Sequence, residues 1–205
     1  MNNIKNSFIY RIINKGLIFL REILLKFFAE TLKAQPDTLT ITGILVSLGS
    51  AYLFSQGLFI LGGIFLIISG LFDVFDGLVA KRYNRGSKFG SLLDSTSDRY
   101  VEIFQLAGLI YYFNKIGIYQ FSYIALLYIL GSVLTSYTRA KIESLGKECN
   151  IGFIQRLERL TLFVTFSILS FFDKRILFYG ILLIGIGANI TAIQRILYGK
   201  KVLKD

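Results

Sequence analysis

The chain has 205 residues, of which 54% are apolar and 15% aromatic, and its mean hydropathy is +0.59. This composition excludes intrinsic disorder and disfavours a water-soluble domain, because only 18% of the residues are charged. The formal net charge of +10 suits anionic lipid headgroups or phosphorylated substrates, and the hydropathy argues against nucleic acid as the partner. With one Cys and no His, an intrachain disulfide and a metal site built on imidazole or several thiolates are also excluded.

Residues 7–33 combine apolar side chains at helical spacing with regularly placed basic side chains. Apolar residues such as Phe19 and Ile23 recur on one face, and Arg21 and Lys26 interrupt them. This pattern predicts an amphipathic helix within residues 1–35 that lies along the membrane surface. The alternative is a helix of soluble type packed against the rest of the protein. Because the pattern of a signal peptide is missing, we expect this segment to be uncleaved.

Six windows of about 20 mostly apolar residues follow the lone proline, and each is long enough to span a bilayer. They begin near Thr38, Leu58, Phe89, Tyr119, Ile154 and Lys174. The polar breaks between them are short, so successive helices should be antiparallel neighbours. We therefore predict an all-α integral membrane protein with six transmembrane helices in one domain, residues 36–205, preceded by the amphipathic helix of residues 1–35.

The basic residues are distributed unevenly between the two sides of this predicted topology. Six crossings place both termini, the second loop and the fourth loop on one side, and these segments hold most of the 23 Lys and Arg residues. By the positive-inside rule, that side faces the cytosol. The sequence thus predicts a multi-pass protein of the cytoplasmic membrane with both termini in the cytosol.

Four carboxylates fall close together at the cytosolic ends of the second and third predicted helices. Asp73 and Asp76 are three residues apart, and Asp94 and Asp98 are four apart, so each pair shares a helix face. An antiparallel connection can bring the pairs together, and converging carboxylates repel one another unless cations neutralise them. Oxygen ligands without His or Cys favour Mg²⁺, Mn²⁺ or Ca²⁺ over zinc. The sequence therefore predicts a divalent metal site.

Two other interpretations of these acids remain. They could cap helices or pair with neighbouring arginines, or they could mark the pathway of a divalent-cation transporter, since acids within a membrane often line ion pathways. Their position at one membrane face rather than mid-span favours an enzyme site over transport.

This stretch resembles the signature of the CDP-alcohol phosphatidyltransferases, D-x-x-D-G-x-x-A-R, eight residues, then G-x-x-x-D-x-x-x-D. The matching positions are Asp73, Asp76, Gly77, Ala80, Gly90, Asp94 and Asp98. Lys81 stands where the family has Arg, and Arg82 follows it directly. Pro36, Asp37 and Thr40 are similar to the family's P-N-x-x-T motif, with Asp37 in place of Asn.

The resemblance implies that an alcohol hydroxyl displaces CMP from a CDP-linked lipid at two metal ions, Mg²⁺ or Mn²⁺. It implies that Asp98 is the general base and that the metal ligands are Asp73, Asp76, Asp94 and Asp98. The residues implied for binding the CDP-lipid are Asp37, Thr40, Gly77, Ala80, Lys81, Arg82 and Gly90. The family also suggests a homodimer.

A second set of residues, Arg139, Lys141, Arg156 and Arg195, could line one pocket beside the carboxylates. Such fixed positive charge suits a phosphate on the acceptor alcohol. The alternative is that these cations merely reflect the positive-inside rule or bind anionic lipid. The surrounding sequence is similar to the family branch that makes phosphatidylinositol phosphate, or its archaeal ether-lipid counterpart, from inositol 1-phosphate. Lys141 and Gln155 depart from that branch, which often has Arg and Glu there. Glycerol 3-phosphate is the alternative acceptor. The lipid part of the donor could be diacylglycerol or archaeol.

Overall fold

In the computed structural model, the described residues, 35–203, form six α-helices and no β-strand. The helices are α1 (Pro36–Ser55), α2 (Phe59–Arg82), α3 (Lys88–Lys115), α4 (Phe121–Ser144), α5 (Arg156–Leu169) and α6 (Lys174–Val202). The all-α prediction is confirmed for this range, and the observed helix ends lie within a few residues of the predicted ones. The predicted amphipathic helix of residues 1–35 lies, except for Gln35, outside the described residues.

Four of the helices in residues 35–203, namely α1, α2, α4 and α6, are long and apolar enough to cross a membrane. Helix α3 has 28 residues but carries four charged side chains, Lys88, Asp94, Asp98 and Arg99, in its first half. Helix α5 has only 14 residues, so it is about 21 Å long and shorter than the ~30 Å hydrocarbon core of a bilayer. The predicted span from Ile154 therefore gives a shorter helix, because a capping box at Gln155 and Glu158 fixes its start and Asp173 already caps α6.

The first three helices are joined by close packing and by a buried polar network. Gly108 of α3 contacts the main chain of Ala51 on α1, an approach that a side chain would prevent. Nearby, Gln105 Nε2 donates to the Ser47 carbonyl at 3.0 Å, and Ser50 Oγ lies 2.9 Å from Gln105 Oε1 and 2.6 Å from the Gly62 carbonyl of α2. Because these polar groups are buried and satisfied by one another, they fix how α1 packs against α2 and α3.

Helices α4 and α6 pack along each other in the same manner. Asn189 Nδ2 of α6 donates to the Leu127 carbonyl of α4 at 2.9 Å, and Gly131 of α4 lies against Asn189. Helix α5 packs on α6 and α2, and α3 contacts α4. The chain thus places α1, α2 and α3 on one side and α4 and α6 on the other, with α5 between them and its first residue, Arg156, at the end where the acids lie.

Candidate active site

The acids of α2 and α3 converge at the ends of the two helices that the loop of residues 83–87 connects. One carboxylate oxygen from each of Asp73, Asp76 and Asp94 lies within 4.8 Å of the others. Three hard oxygen donors at this spacing fit a divalent cation of the Mg²⁺, Mn²⁺ or Ca²⁺ type. The structure therefore brings these three predicted ligands together, whereas Asp98 lies outside this set.

Asp76 is held in place by the start of α1. Its carboxylate is buried, with 5% of the residue exposed, and it accepts a hydrogen bond from the hydroxyl of Thr40. The same hydroxyl lies 3.1 Å from the Pro36 carbonyl. A neighbour that fixes the orientation of a ligating carboxylate contributes to metal binding without touching the ion. Thr40 thus couples the first turns of α1 to the acid cluster.

Asp98 and Asp73 share one cation, Arg156, the first residue of α5. Arg156 forms an ion pair with Asp98 and contacts Asp73 at 3.1 Å (Nη2–Oδ1) and 3.3 Å (Nη1–Oδ2). Arg99 Nη1 lies 3.2 Å from the other carboxylate oxygen of Asp98. These arginines offset part of the negative charge of the cluster, and they tie α5 to α2 and α3.

A cavity of about 200 Å³ opens on the α1 side of the acids. Its lining comprises Pro36, Asp37, Thr40, Asp76, Gly77, Ala80, Arg85, Gly86, Ser87, Gly90, Ser91 and Asp94. Most residues expected to bind the CDP-lipid are in this list, but Lys81 and Arg82 are not. At 100° per residue, Arg82 lies about 140° around the helix from Gly77 and about 160° from Ala80, so it points away from their face. Lys81 lies four residues after Gly77, near the same face, but its side chain is exposed and does not line the cavity. Arg85, in the loop after α2, lines the cavity instead.

Two glycines shape this first cavity in different ways. Among residues 35–203, a Cβ added to Gly77 would meet nothing within 4 Å beyond its own helix turn, so this glycine leaves open space beside the acids. A Cβ on Gly90 would lie 2.9 Å from Asp37 Oδ1 and 3.1 Å from Ser87 Oγ. Gly90 therefore allows the start of α1 to approach α3 closely, whereas Gly77 provides room for a ligand.

A second cavity, of about 630 Å³, lies on the other side of the acids between α3, α4, α5 and α6. Its lining comprises Ser95, Asp98, Arg99, Thr135, Ser136, Arg139, Ala140, Glu143, Gln155, Arg156, Leu157, Glu158, Arg159 and Arg195. Three of the expected acceptor-binding cations, Arg139, Arg156 and Arg195, are thus brought together. Lys141 is not among the lining residues, because two residues after Arg139 the helix has turned by about 200°.

Hydrogen bonds hold the loop before α5 on α6, and these bonds set the position of Arg156. The Ile154 N–H donates to Thr191 Oγ1 at 2.9 Å. Gly152 has a φ of +152°, and a Cβ there would lie 2.6 Å from the methyl group of Thr191. Arg195, with 3% of the residue exposed, donates from Nε to the Ile151 carbonyl at 2.8 Å. The segment that carries Arg156 is therefore built on the same helix as Arg195.

A buried ion pair beneath the second cavity was not among the expected site residues. Glu102 Oε1 accepts from Arg159 Nε at 3.0 Å and from Nη2 at 2.9 Å, and Ser132 of α4 donates to the other oxygen of Glu102. The sequence does carry a signal for this pair. Glu102 lies four residues after Asp98, and Arg159 lies three residues after Arg156, so each shares a helix face with a site residue.

The chain belongs to the CDP-alcohol phosphatidyltransferase family, whose family model matches residues 33–193. The archaetidylinositol phosphate synthase of Methanothermobacter thermautotrophicus is 34% identical over 182 residues, which cover 86% of this chain and 88% of that protein. The crystal structure of Mycobacterium tuberculosis phosphatidylinositol phosphate synthase with CDP-DAG bound has a TM-score of 0.80 and 28% identity, covering 87% of this chain and 92% of that one. A structure of the same enzyme with manganese and citrate has a TM-score of 0.74 and 28% identity over 84% and 85% of the two chains.

The protein is therefore an enzyme of this phosphatidyltransferase class, in accord with its apolar helices and its three clustered aspartates. Family membership favours the enzyme over the cation transporter. Both cavities border the acids: Asp76 and Asp94 line the first, and Asp98 lines the second.

Proposed function

We propose that the protein transfers the lipid-bearing phosphate group of CDP-diacylglycerol or CDP-archaeol to inositol 1-phosphate, with release of CMP. The observation that carries this proposal is the position of the acids between two cavities of different character. The cavity beside Gly77 and Asp37 suits the CDP group, and the cavity lined by Arg139 and Arg195 suits an anionic acceptor. The activities named for the archaeal and mycobacterial relatives support the same pair of substrates.

In the proposed reaction, a hydroxyl oxygen of the acceptor attacks the phosphorus atom that bears the lipid. The bond from that phosphorus to the oxygen bridging it to CMP breaks, and CMP leaves with the electron pair. Asp98 takes the hydroxyl proton, since it lines the acceptor cavity and is largely buried, with 8% of the residue exposed. Arg156 and Arg99 hold this carboxylate, so its oxygens keep a fixed position at the boundary of the cavity.

We propose that Asp73, Asp76 and Asp94, with a contribution from Asp98, hold two divalent cations, Mg²⁺ or Mn²⁺. The oxygen spacing of the first three and the manganese complex of the mycobacterial relative support this assignment. When bound, such cations neutralise the charge of the diphosphate and of the departing CMP.

The acceptor cavity favours a phosphorylated alcohol because five arginines line it, among them the three that were expected there. Arg139, Arg156 and Arg195 come from α4, α5 and α6, so the folded chain concentrates positive charge that an uncharged alcohol would not require. Glycerol 3-phosphate carries the same phosphate, and it is the competing acceptor. The size of the cavity, about 630 Å³, leaves room for the larger inositol ring.

We further propose that the enzyme lies in the cytoplasmic membrane as a homodimer, with the amphipathic segment of residues 1–35 on the membrane surface. Helix α3, and α5 together with its flanking residues (154–173, about 20 residues), would complete six crossings. The basic residues flanking the acid-bearing helix ends support a cytosolic active site and cytosolic termini.

The test uses purified full-length protein with each CDP-lipid, Mg²⁺ or Mn²⁺, and inositol 1-phosphate, glycerol 3-phosphate or free inositol. We expect CMP release that depends on inositol 1-phosphate and stops when a chelator removes the metal. Mass spectrometry of the lipid product then identifies tail and headgroup together. A higher kcat/KM for glycerol 3-phosphate, or equal rates with free inositol, would contradict the proposed acceptor.

A further inference from the structure

Two arginine–carboxylate pairs link α5 to α3, one helical turn apart. The outer pair, Arg156 with Asp98, borders the acceptor cavity. The inner pair is Arg159 with Glu102, and these two residues follow the members of the outer pair by three and four positions. At 1.5 Å per residue, the steps are about 4.5 Å along α5 and about 6 Å along α3. Residues at these spacings share a helix face, so both pairs join the same faces of the two helices.

The two pairs differ in their surroundings. In the outer pair, 42% of the Arg156 side chain is exposed, whereas in the inner pair only 2% of the Arg159 side chain and 14% of the Glu102 side chain are exposed. An exposed ion pair holds its geometry weakly, because water and salt screen it. A buried pair with several hydrogen bonds has a better defined geometry. The inner pair is therefore the more firmly fixed of the two.

Both members of the inner pair have more than one partner. Nε and Nη2 of Arg159 donate to Glu102 Oε1 at 3.0 Å and 2.9 Å, and the Ser132 hydroxyl of α4 donates to the other carboxylate oxygen. The hydroxyl of the buried Tyr128, one turn earlier on α4, is a further hydrogen-bonding neighbour of Arg159. Because a guanidinium is planar and donates in fixed directions, these contacts restrict the rotation of α5 about its axis.

The other contacts that hold α5 lead to different helices. The loop before it is bound to α6 through Ile154, and the helix itself packs on α2 and α6. The proposed general base, Asp98, is on α3. The inner pair thus adds a buried link between α5 and the helix that carries this base.

We propose that the Glu102–Arg159 pair is a positioning element for the reaction, which sets the rotation and depth of α5 and thereby places Arg156 against Asp98 and the acceptor phosphate. This inference rests on the proposed function, in which Asp98 takes the proton and Arg156 binds the phosphate. The pair acts through Arg156, so it needs no contact of its own with either substrate. A displacement of about 1 Å at a reacting group can cost roughly 100-fold in rate, and a small rotation of α5 is therefore enough to matter.

The main test is the double substitution Glu102→Met with Arg159→Met. Apolar side chains of similar size in place of a buried ion pair are often neutral or stabilising, so the midpoint of thermal unfolding should stay the same or rise. The KM for inositol 1-phosphate should nevertheless rise about tenfold and kcat should fall, because Arg156 is no longer held in place. The KM for the CDP-lipid should keep its wild-type value, since the first cavity is lined by residues 36–94 and thus by none of α5.

A double-mutant cycle with Arg156→Ala distinguishes positioning from a purely structural role. If the inner pair acts through Arg156, adding the two Met substitutions to the Arg156→Ala enzyme should change its acceptor KM by less than about twofold. Independent effects would instead multiply, and a further rise of about tenfold would overturn the proposal. Wild-type values of kcat and acceptor KM in the Met variant would overturn it as well.

Arg159→Lys covers the case in which the Met variant does not fold. Lysine keeps a positive charge for Glu102 but lacks the planar group that donates twice to it. The acceptor KM should rise by a smaller factor, about threefold, and this rise should also disappear in the Arg156→Ala background. An Arg159→Lys enzyme with the wild-type acceptor KM would contradict the positioning role.

Gln105→Leu is the matched control, because Gln105 is also buried on α3 but bonds to Ser47 and Ser50 of α1. It should lower the midpoint of thermal unfolding without changing the KM for inositol 1-phosphate. An equal rise in the acceptor KM of this control would mean that any loss of packing on α3 has the same effect, and the specific role of the inner pair would be wrong.

These outcomes are distinct from a failure of the proposed function. If the wild type releases CMP with glycerol 3-phosphate rather than inositol 1-phosphate, the proposed acceptor is wrong, and the same cycle with glycerol 3-phosphate decides the positioning role. If neither acceptor supports CMP release, the proposed function and the positioning role are both wrong. If the wild type is active and the effects in the cycle multiply, only the positioning role is wrong.

Discussion

Arg156 at the start of α5 contacts both carboxylate oxygens of Asp73 on α2, at distances of 3.1 Å and 3.3 Å. Because Arg156 also lines the acceptor cavity, one side chain contacts both the acid cluster and the acceptor cavity. Its charge offsets that of the acids and adds to the positive charge of the cavity. The loss of Arg156 should therefore affect more than the binding of the acceptor.

We predict that Arg156→Ala lowers kcat as well as raising the KM for inositol 1-phosphate. Without the guanidinium, Asp98 and Asp73 lose the cation that holds them, and the acceptor phosphate loses a charge-assisted contact of about 1.5–3 kcal/mol. The expected rise in KM is roughly 10- to 100-fold. Steady-state CMP release over a series of acceptor concentrations checks both parameters. An unchanged kcat would show that Arg156 serves the acceptor alone.

Arg139→Ala should raise the acceptor KM while leaving kcat and stability nearly unchanged. Arg139 is exposed and its ion pair with Glu143 is an i,i+4 pair on α4, which contributes only about 0.3–0.5 kcal/mol to stability. Lys147→Ala is the control, since it removes an equal charge from the fourth loop, away from the cavity. Lys141→Ala is expected to behave like this control. Equal KM changes for Arg139 and Lys147 variants would mean that net charge, not the cavity, attracts the acceptor.

Asp98→Asn should nearly abolish turnover and leave binding of the CDP-lipid largely intact. An amide occupies almost the same volume but cannot accept the hydroxyl proton, and the loss of a general base costs about 10²- to 10⁴-fold in rate. CMP release gives the rate, and direct binding of the CDP-lipid to the purified variant gives the affinity. Turnover above about a tenth of the wild-type value would exclude Asp98 as the base.

Thr40→Val should increase the Mg²⁺ or Mn²⁺ concentration needed for half-maximal activity. Valine has nearly the shape of threonine but cannot donate to Asp76, and the loss of such an orienting contact typically costs about 10- to 100-fold in metal affinity or activity. Thr42→Val is the matched control, because the Thr42 hydroxyl makes an exposed hydrogen bond at 2.8 Å to the Thr38 carbonyl of its own helix and none to the acids. Metal titrations at saturating CDP-lipid compare the two variants, and indistinguishable titrations would remove Thr40 from the metal site.

For residues 35–203, the sequence was sufficient to predict the helical fold, most of the helix ends and the convergence of three of the four acids. Apolar windows and short polar breaks locate helices directly, and spacings of three and four residues place carboxylates on one helix face. The position of Lys141 was harder to predict, because a basic cluster in sequence does not show which member faces a cavity formed by three other helices. The length of α5 depends on the cap at Gln155 and on the turn before Asp173, so hydropathy alone overestimated it.

The contacts made by Arg156 and Arg159 are tertiary. Local spacing places Glu102 and Arg159 on the helix faces of site residues, but it does not show which charges pair. Arg156 lies 83 residues from Asp73 and Arg159 lies 57 residues from Glu102, so both pairs depend on how α5 docks against α2 and α3. The sequence shows which residues are charged. The hydrogen bonds that hold the loop before α5 on α6 determine which of these residues come into contact.

The last prediction concerns Gly77, where the first cavity borders the acids. Gly77→Ala should raise the KM for the CDP-lipid with little change in thermal stability. The added methyl group meets no atom of the described residues, 35–203, within 4 Å beyond the backbone of its own helix turn, so a loss of activity is attributed to space that the substrate needs. Gly90→Ala should instead also lower stability, because its methyl group would lie 2.9 Å from Asp37. Gly49→Ala on α1 is the control, since its nearest neighbour, Phe65, would be at an ordinary 3.4 Å. The unfolding midpoint and the KM are measured for all three variants. A Gly77→Ala enzyme with a wild-type KM would show that the CDP group does not occupy this part of the cavity.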